Sequence, residues 1–282
     1  MKTKIKFLLL LALFTAIPFI SKAQLAISLK MNRNYYLQYE TVYAKVKVRN
    51  DSGHAVVFGK DKRLQGKLLF KIVTAKGVPV STISKTPYPM EGIIINAGQS
   101  KEFIIPISRF YDLKPCGTYR LYAYIEHNMF QDVYRSNDGI FEVNAGITSW
   151  KRTVGIPEFM MKGKKKKVSK RTYRMVTLIA GSQKSNYLVI EDKKRIYTVL
   201  FLSTVLGEEH IKHEVDHLSR LHLMIPMSPK IFVYLVIDPM GKIDEETVYK
   251  RTNTVPSMVR SPKTGKIYVT GGAKAKRQKD YR

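Results

Sequence analysis

The chain holds one cysteine in 282 residues, so no internal disulfide can form. That residue, Cys116, sits in LKPCGTY, a turn setting with no histidine near it in sequence, which argues against a reactive thiol. There is also only one tryptophan, Trp150. Acidic residues are scarce: 22 Asp and Glu stand against 49 Lys and Arg, a net charge of +27. Beyond Ala23 no apolar run approaches the ~20 residues that a bilayer-crossing helix needs. No G-x-S-x-G elbow, phosphate-binding glycine loop, C-x-x-C pair or calcium loop occurs. The chain therefore offers no motif for the hydrolases, nucleotide-binding enzymes, dithiol oxidoreductases or calcium sensors that depend on them.

What is present begins with MKTKIKFLLLLALFTAIPFISKAQ, in which Lys2, Lys4 and Lys6 precede a 14-residue apolar run from Phe7 to Ile20. Ser21-Lys22-Ala23 puts small residues at the two positions that signal peptidase reads, which predicts a signal peptide over 1–23 and cleavage before Gln24. No cysteine follows the cut to carry a lipid. The expectation is an exported chain: periplasmic, at the cell surface or secreted. Removal of 23 residues leaves 259, and the loss of Lys2, Lys4, Lys6 and Lys22 brings +27 to +23. An exported chain of that size without disulfides must rely on hydrophobic cores. Its charge favours anionic partners, and export points to lipid headgroups or an acidic surface polymer, or a protein carrying such charge, rather than to nucleic acid. A general basic bias of the source's proteins would give the same surplus.

From Gln24 to about Ala145 the apolar period is two. TVYAKVKVRN (41–50) alternates Val42, Ala44, Val46 and Val48 with Tyr43, Lys45, Lys47 and Arg49, the pattern of a half-buried strand. AVVFG, KLLFKIVTA, EFIIPIS, TYRLYAYIEH and IFEVNA continue the series, separated by turn chemistry such as NDSG, AKG, NAGQS, KPCG and SNDG. Short strands at regular spacing predict an all-β sandwich. NYYLQYETVYAKVKVRNDSGHAVVF and IPISRFYDLKPCGTYRLYAYI resemble the opening and later parts of bacterial immunoglobulin-like sandwiches of the macroglobulin and small proteinase-inhibitor kind. The resemblance covers about residues 26–145 and implies a fold. It brings no catalytic residue, and inhibition of a proteinase is one function that it raises.

Residues 149–171 break the alternation. Lys162, Lys164, Lys165, Lys166, Lys167, Lys170 and Arg171 make seven basic residues of ten, which reads as a solvated linker or, more sharply, an anion-binding strip. Strand patterns resume at Tyr173 with YRMVTLIAG, NYLVIED, IYTVLFLS, LHLMIP, IFVYLVID, ETVY, VPSMV and KIYVTGG. DPMGK between the fifth and sixth of these predicts a hairpin loop with Gly241 free to take a positive φ. Tyr187-Leu-Val-Ile-Glu and Tyr234-Leu-Val-Ile-Asp lie 47 residues apart, hinting at two related meander units. The second half also resembles the C-terminal part of secreted bacterial proteins to which no activity attaches. The expected organisation is a signal peptide (1–23), an immunoglobulin-like sandwich (24–146), a basic linker (147–171), a β-meander or second sandwich (172–272) and a basic disordered tail (273–282).

One string could carry chemistry. HEVDH (213–217) fits H-E-x-x-H, in which two histidines hold zinc and the glutamate acts on bound water. As a helix, the segment would point His213 and His217 to water, opposite its apolar stripe. As a strand, it would put Glu214 on the face opposite both histidines, with Asp216 to Arg220 turning into LHLMI. The strand suits its neighbours and does not place Glu214 beside a histidine-bound metal. The favoured reading assigns no catalytic, metal or cofactor residues: an exported binding or structural protein of the cell envelope. The alternatives are a zinc-dependent hydrolase using His213, Glu214 and His217, a proteinase inhibitor, and adventitious metal binding by His210, His213 and His217. Tyr35, Tyr36 and Tyr39 in NRNYYLQY would, if exposed, stack on sugars or grip a partner; the alternative is that they plug the end of the sandwich core.

Overall fold

The computed structural model describes residues 24–84, 88, 90–158, 169–205, 210–278 and 280. Among these the chain is all-β, with a single 3-10 turn (Ile107–Arg109) and no α-helix. The expected signal peptide, 1–23, and Lys162, Lys164, Lys165, Lys166 and Lys167 lie outside the described residues.

The strands of the first half are β1 (Leu25–Met31), β2 (Tyr35–Leu37), β3 (Tyr43–Asn50), β4 (Val56–Phe58) and β5 (Gly66–Thr74). They continue as β6 (Ile93–Ile95), β7 (Ser100–Pro106), β8 (Gly117–His127), β9 (Tyr134–Arg135) and β10 (Gly139–Asn144). The second half opens with β11 (Ile147–Gly155), β12 (Lys170–Ala180), β13 (Gln183–Glu191) and β14 (Ile196–Thr204). Then come β15 (Lys212–Val215), β16 (Leu221–Ser228), β17 (Ile231–Ile237) and β18 (Ile243–Lys250). Two short strands, β19 (Ser257–Arg260) and β20 (Ile267–Thr270), precede β21 (Ala273–Lys274). Contacts divide the chain into two compact units.

The first unit comprises residues up to Asn32, Tyr43–Phe110 and Arg120–Ile140. Its central strand, β3, pairs antiparallel with β1 on one side and β7 on the other. Burial follows the sequence period: Ala44, Val46 and Val48 are fully buried, and Lys45, Lys47 and Arg49 are exposed. β3 ends where Asn50 leaves the ladder. Its buried amide donates to the carbonyls of His54 (2.7 Å) and Ile95 (2.8 Å), and its side-chain oxygen accepts from Ser52 N (2.9 Å). The NDSG turn is thus fixed by an asparagine side chain that satisfies the backbone groups the strand leaves unpaired.

The second unit comprises Arg33–Val42, Tyr111–Tyr119 and Phe141–Arg282. Two antiparallel meanders form it: β11-β12-β13-β14, and β15-β16-β17-β18 with β21 added at the edge. One core lies between them, with Tyr173, Met175, Leu188, Ile190 and Leu202 from the first and Val215, Leu221, Leu223, Ile225, Leu235 and Ile237 from the second. Each of these large side chains contributes about 1.5–3 kcal/mol by leaving water. The outer face of the first meander is also buried, by Val176, Leu178, Tyr187 and Val189 against Leu37. The outer face of the second buries Met224, Phe232, Tyr234 and Val236 under Tyr249, Met258 and Val269. Burial on both faces is why NYLVIE, LHLMIP and IFVYLVI read as unbroken apolar runs and not as alternation. The 47-residue echo has a structural meaning: Tyr187 and Tyr234 each open a run of four consecutively buried residues, in β13 and β17, the third strands of their respective meanders.

Two expectations are corrected here. Residues 147–155, read as the start of a linker, form edge strand β11, paired with β12 from Ile147↔Thr177 to Gly155↔Lys170. Its signal was weak because an edge strand buries little: only Trp150 and Val154 are even half-buried, and its Lys and Arg suit an unpaired edge. The tail is ordered through most of its length. Ala273 and Lys274 pair with Lys250 and Tyr249, and Lys250 Nζ meets Asp280 at 2.8 Å. Basic composition suggested solvation, but the backbone of β21 completes the open edge of β18.

Candidate functional site

HEVDH is a strand followed by a turn. Lys212–Val215 is β15, in register with β16 as Lys212↔Met224, His213↔Leu223, Glu214↔His222 and Val215↔Leu221. His213 packs its ring on Trp150, with centroids 4.2 Å apart, and partial burial lowers its pKa below the ordinary histidine value. Glu214 is exposed and ion-paired with Arg260 at 2.8 Å, and His217 is exposed in the turn. His210 is exposed before the strand. Among the described residues no group of three His, Cys, Asp or Glu side chains is arranged to hold a metal ion.

Asp216 opens the turn, as its place in the sequence predicts, but it is buried. Its side chain is 1% exposed. Oδ1 accepts from the backbone N–H of Leu218 (2.9 Å) and of Arg220 (2.8 Å), and Oδ2 accepts from Arg220 Nε (2.8 Å) and His222 Nε2 (3.1 Å). Burial alone would raise its pKa, but these donors outweigh it and hold the carboxyl below the ordinary value. His222 Nδ1 sits 2.6 Å from Tyr234 Oη. A neutral imidazole that donates from Nε2 to Asp216 and accepts from Tyr234 satisfies every partner. Desolvation lowers the His222 pKa and raises that of Tyr234 to about 12, so both stay uncharged. The Asp–His–Tyr order has the look of catalysis, but Tyr234 is 4% exposed. We read the cluster as the polar lock of a tight turn. Sequence reasoning passed over it because only strand pairing brings Asp216, His222 and Tyr234 together.

The cationic cleft of the second unit is more open. It has a volume of about 940 Å³ and draws Tyr39 and Thr41 from the first segment, Lys114 from the second, and Arg174, Glu191, Asp192 and residues 194–199 from the meander. Arg171 and Arg195 both stack on one aromatic residue: Arg171 Cζ lies 3.7 Å and Arg195 Cζ 4.2 Å from the Tyr197 ring centroid. Asp192 accepts from Tyr197 Oη (2.6 Å), Lys194 N (2.7 Å), Arg195 N (3.0 Å) and Arg171 Nη1 (3.1 Å). Led by the tyrosine hydroxyl, these donors hold its pKa at about 2. Glu191 gives both oxygens to Arg174, at 3.2 and 3.3 Å. Both acids of the cleft are therefore already neutralised by internal partners, while Lys114, Lys194 and Arg195 are exposed and have no carboxylate partner among the described residues.

The expected anion strip fares unevenly where it is described. Lys170 is exposed, but Arg171 is 6% exposed and is held by Asp192 and Tyr197. Of the three tyrosines, Tyr36 is fully buried, with Phe141 edge-on at 5.7 Å, whereas Tyr35 and Tyr39 are 40% and 48% exposed. A second cleft, of about 730 Å³, is lined by Trp150, His213, Met175, Asn186 and Lys184 among others. No family model and no curated protein matches the chain. Among solved structures the chain is similar to Spo0M, a sporulation control protein from Bacillus subtilis, at 8% identity over 64% of this chain and 90% of that one. The TM-score is 0.30, too slight a likeness to imply shared function.

Proposed function

We propose that this chain is an exported, non-enzymatic binding protein of the cell envelope, and that its partner is an anionic surface polymer or a protein bearing similar charge. The observation that carries the reading is a surplus of cations without carboxylate partners among the described residues: Lys114, Lys194 and Arg195 line one cleft whose acids are internally satisfied. A chain with 49 basic and 22 acidic side chains adds a long-range field of the same sign. The lysine-flanked apolar stretch at 1–23 supports export. An immunoglobulin-like scaffold over residues 26–145 is part of the proposal, supported by the alternating β1-β3-β7 sheet. Two measurements test it. Intact mass of the protein recovered from its own cells should begin at Gln24. The mature chain should be retained on a sulfated polysaccharide matrix, pass through a neutral one, and elute steeply with salt. Passage through both matrices at low salt would overturn the reading, as would stoichiometric zinc that is lost, together with hydrolytic activity, on His213→Ala.

A further inference from the structure

We infer that the cleft is a built site for an acidic polysaccharide, in which a sugar ring lies on Tyr39 and its carboxylate meets Arg195, Lys194 and Lys114. This rests on the reading of the chain as a binding protein and adds the ligand class and the place. Tyr39 supplies an observation independent of charge. Its φ is +68°, a left-handed conformation that a bulky side chain adopts only under constraint. The constraint is visible in the flanking residues: Gln38 N donates to Asn144 O (2.8 Å), and Glu40 N donates to Leu37 O (2.9 Å). Leu37 N donates to Glu40 Oε2 (3.0 Å). The result is an aromatic ring, nearly half exposed, held at the mouth of a cationic cleft instead of the glycine or asparagine that such a turn prefers.

The cations are held in place as well. Gln38 Nε2 donates to Lys114 O at 2.9 Å, tying the Lys114 loop to the Tyr39 turn. Arg195 lies on Tyr197, so its guanidinium loses less freedom on binding than a mobile side chain would. Asp192 is ionised, but Arg171 offsets its charge and four donors occupy its oxygens, which reduces its repulsion toward an incoming anion. Thr41 and Thr198 line the same cleft and offer hydroxyls to a sugar. A ring surface beside convergent cations also suits a nucleic-acid base and phosphate, but the leader-like N-terminus favours the glycan.

Calorimetric titration of the mature chain tests the inference, using a uronic-acid oligosaccharide, a neutral oligosaccharide of equal length, single-stranded DNA of equal charge, and inorganic phosphate. The acidic oligosaccharide should bind and the neutral one should not. Arg195→Ala, Lys194→Ala and Lys114→Ala should each weaken binding about tenfold. Tyr39→Asn should weaken it about threefold to tenfold while thermal stability holds or rises, because asparagine tolerates the left-handed turn. A purely structural Tyr39 would instead lose stability. Equal affinity in Arg195→Ala and wild type would overturn the site, as would tighter binding of the DNA. Phosphate competition unaffected by Tyr39→Asn would overturn the stacked sugar. Retention on an anionic matrix that survives all four substitutions would sink this inference and leave the broader reading standing; loss of retention in the wild type would sink both.

Discussion

Replacing Asp216 with alanine isolates the polar lock of the second meander. The carboxylate receives four hydrogen bonds, two from backbone N–H groups and two from Arg220 and His222. Arg220 is 30% exposed at its side chain and can rehydrate. His222, at 4% side-chain exposure, cannot, and its Nε2–H is left buried without an acceptor, a penalty of about 1–3 kcal/mol. With the lost turn contacts, removal of one partner from a buried charged network should cost about 3–5 kcal/mol. Urea denaturation followed by fluorescence suits the case. Trp150 is the only tryptophan and packs on His213 of β15, the strand that enters this turn. The midpoint should fall with the denaturant slope unchanged. A loss below about 1 kcal/mol would refute the reasoning, since it would mean that solvent or another group serves His222 equally well.

Three further outcomes follow from the same structure. His222 and His213 both have pKa values depressed below 6.5 by desolvation, so the unfolded chain takes up protons first; stability should be full above pH 6.5 and fall as pH drops below it. Asp216, depressed below 3.8, adds a second loss as pH falls through its folded value, and denaturation midpoints across pH in wild type and His222→Gln should show the upper step shrink in the variant. Gly241→Ala should destabilise by about 2–4 kcal/mol by thermal melting, because φ is +89° and an added Cβ would stand 2.8 Å from Thr198 Cβ. Exposed Cys116 should react with a thiol reagent in the native state at one equivalent per chain, and protection until unfolding would contradict its exposure.

How much could be read from the sequence depended on how local the signal was. β3 announced itself by alternation, since one face is apolar and the other basic. The DPMGK loop was readable because Gly241 does take a positive φ, with Asp238 accepting from the N–H groups of Met240 and Lys242. HEVDH was readable as a strand that gives way to a turn at Asp216, but the burial of that carboxylate against His222 was not, because the contact is made only across the turn. Arg171 counted as one more cation in a run, and only the pairing of β12 with β13 shows it beside Asp192. The cleft was invisible for the same reason: Tyr39, Lys114 and Arg195 are remote in sequence, and no period links them.

The central claim is that the cations gathered around Tyr197 and Tyr39 form the recognition surface. Amide chemical-shift mapping of the mature chain during titration with a uronic-acid oligosaccharide tests it most directly. Saturable shifts should concentrate at residues 39–41, 114 and 191–199. Shifts confined to the lysine-rich run at 162–171, or the same faint drift at every exposed lysine, would contradict the account.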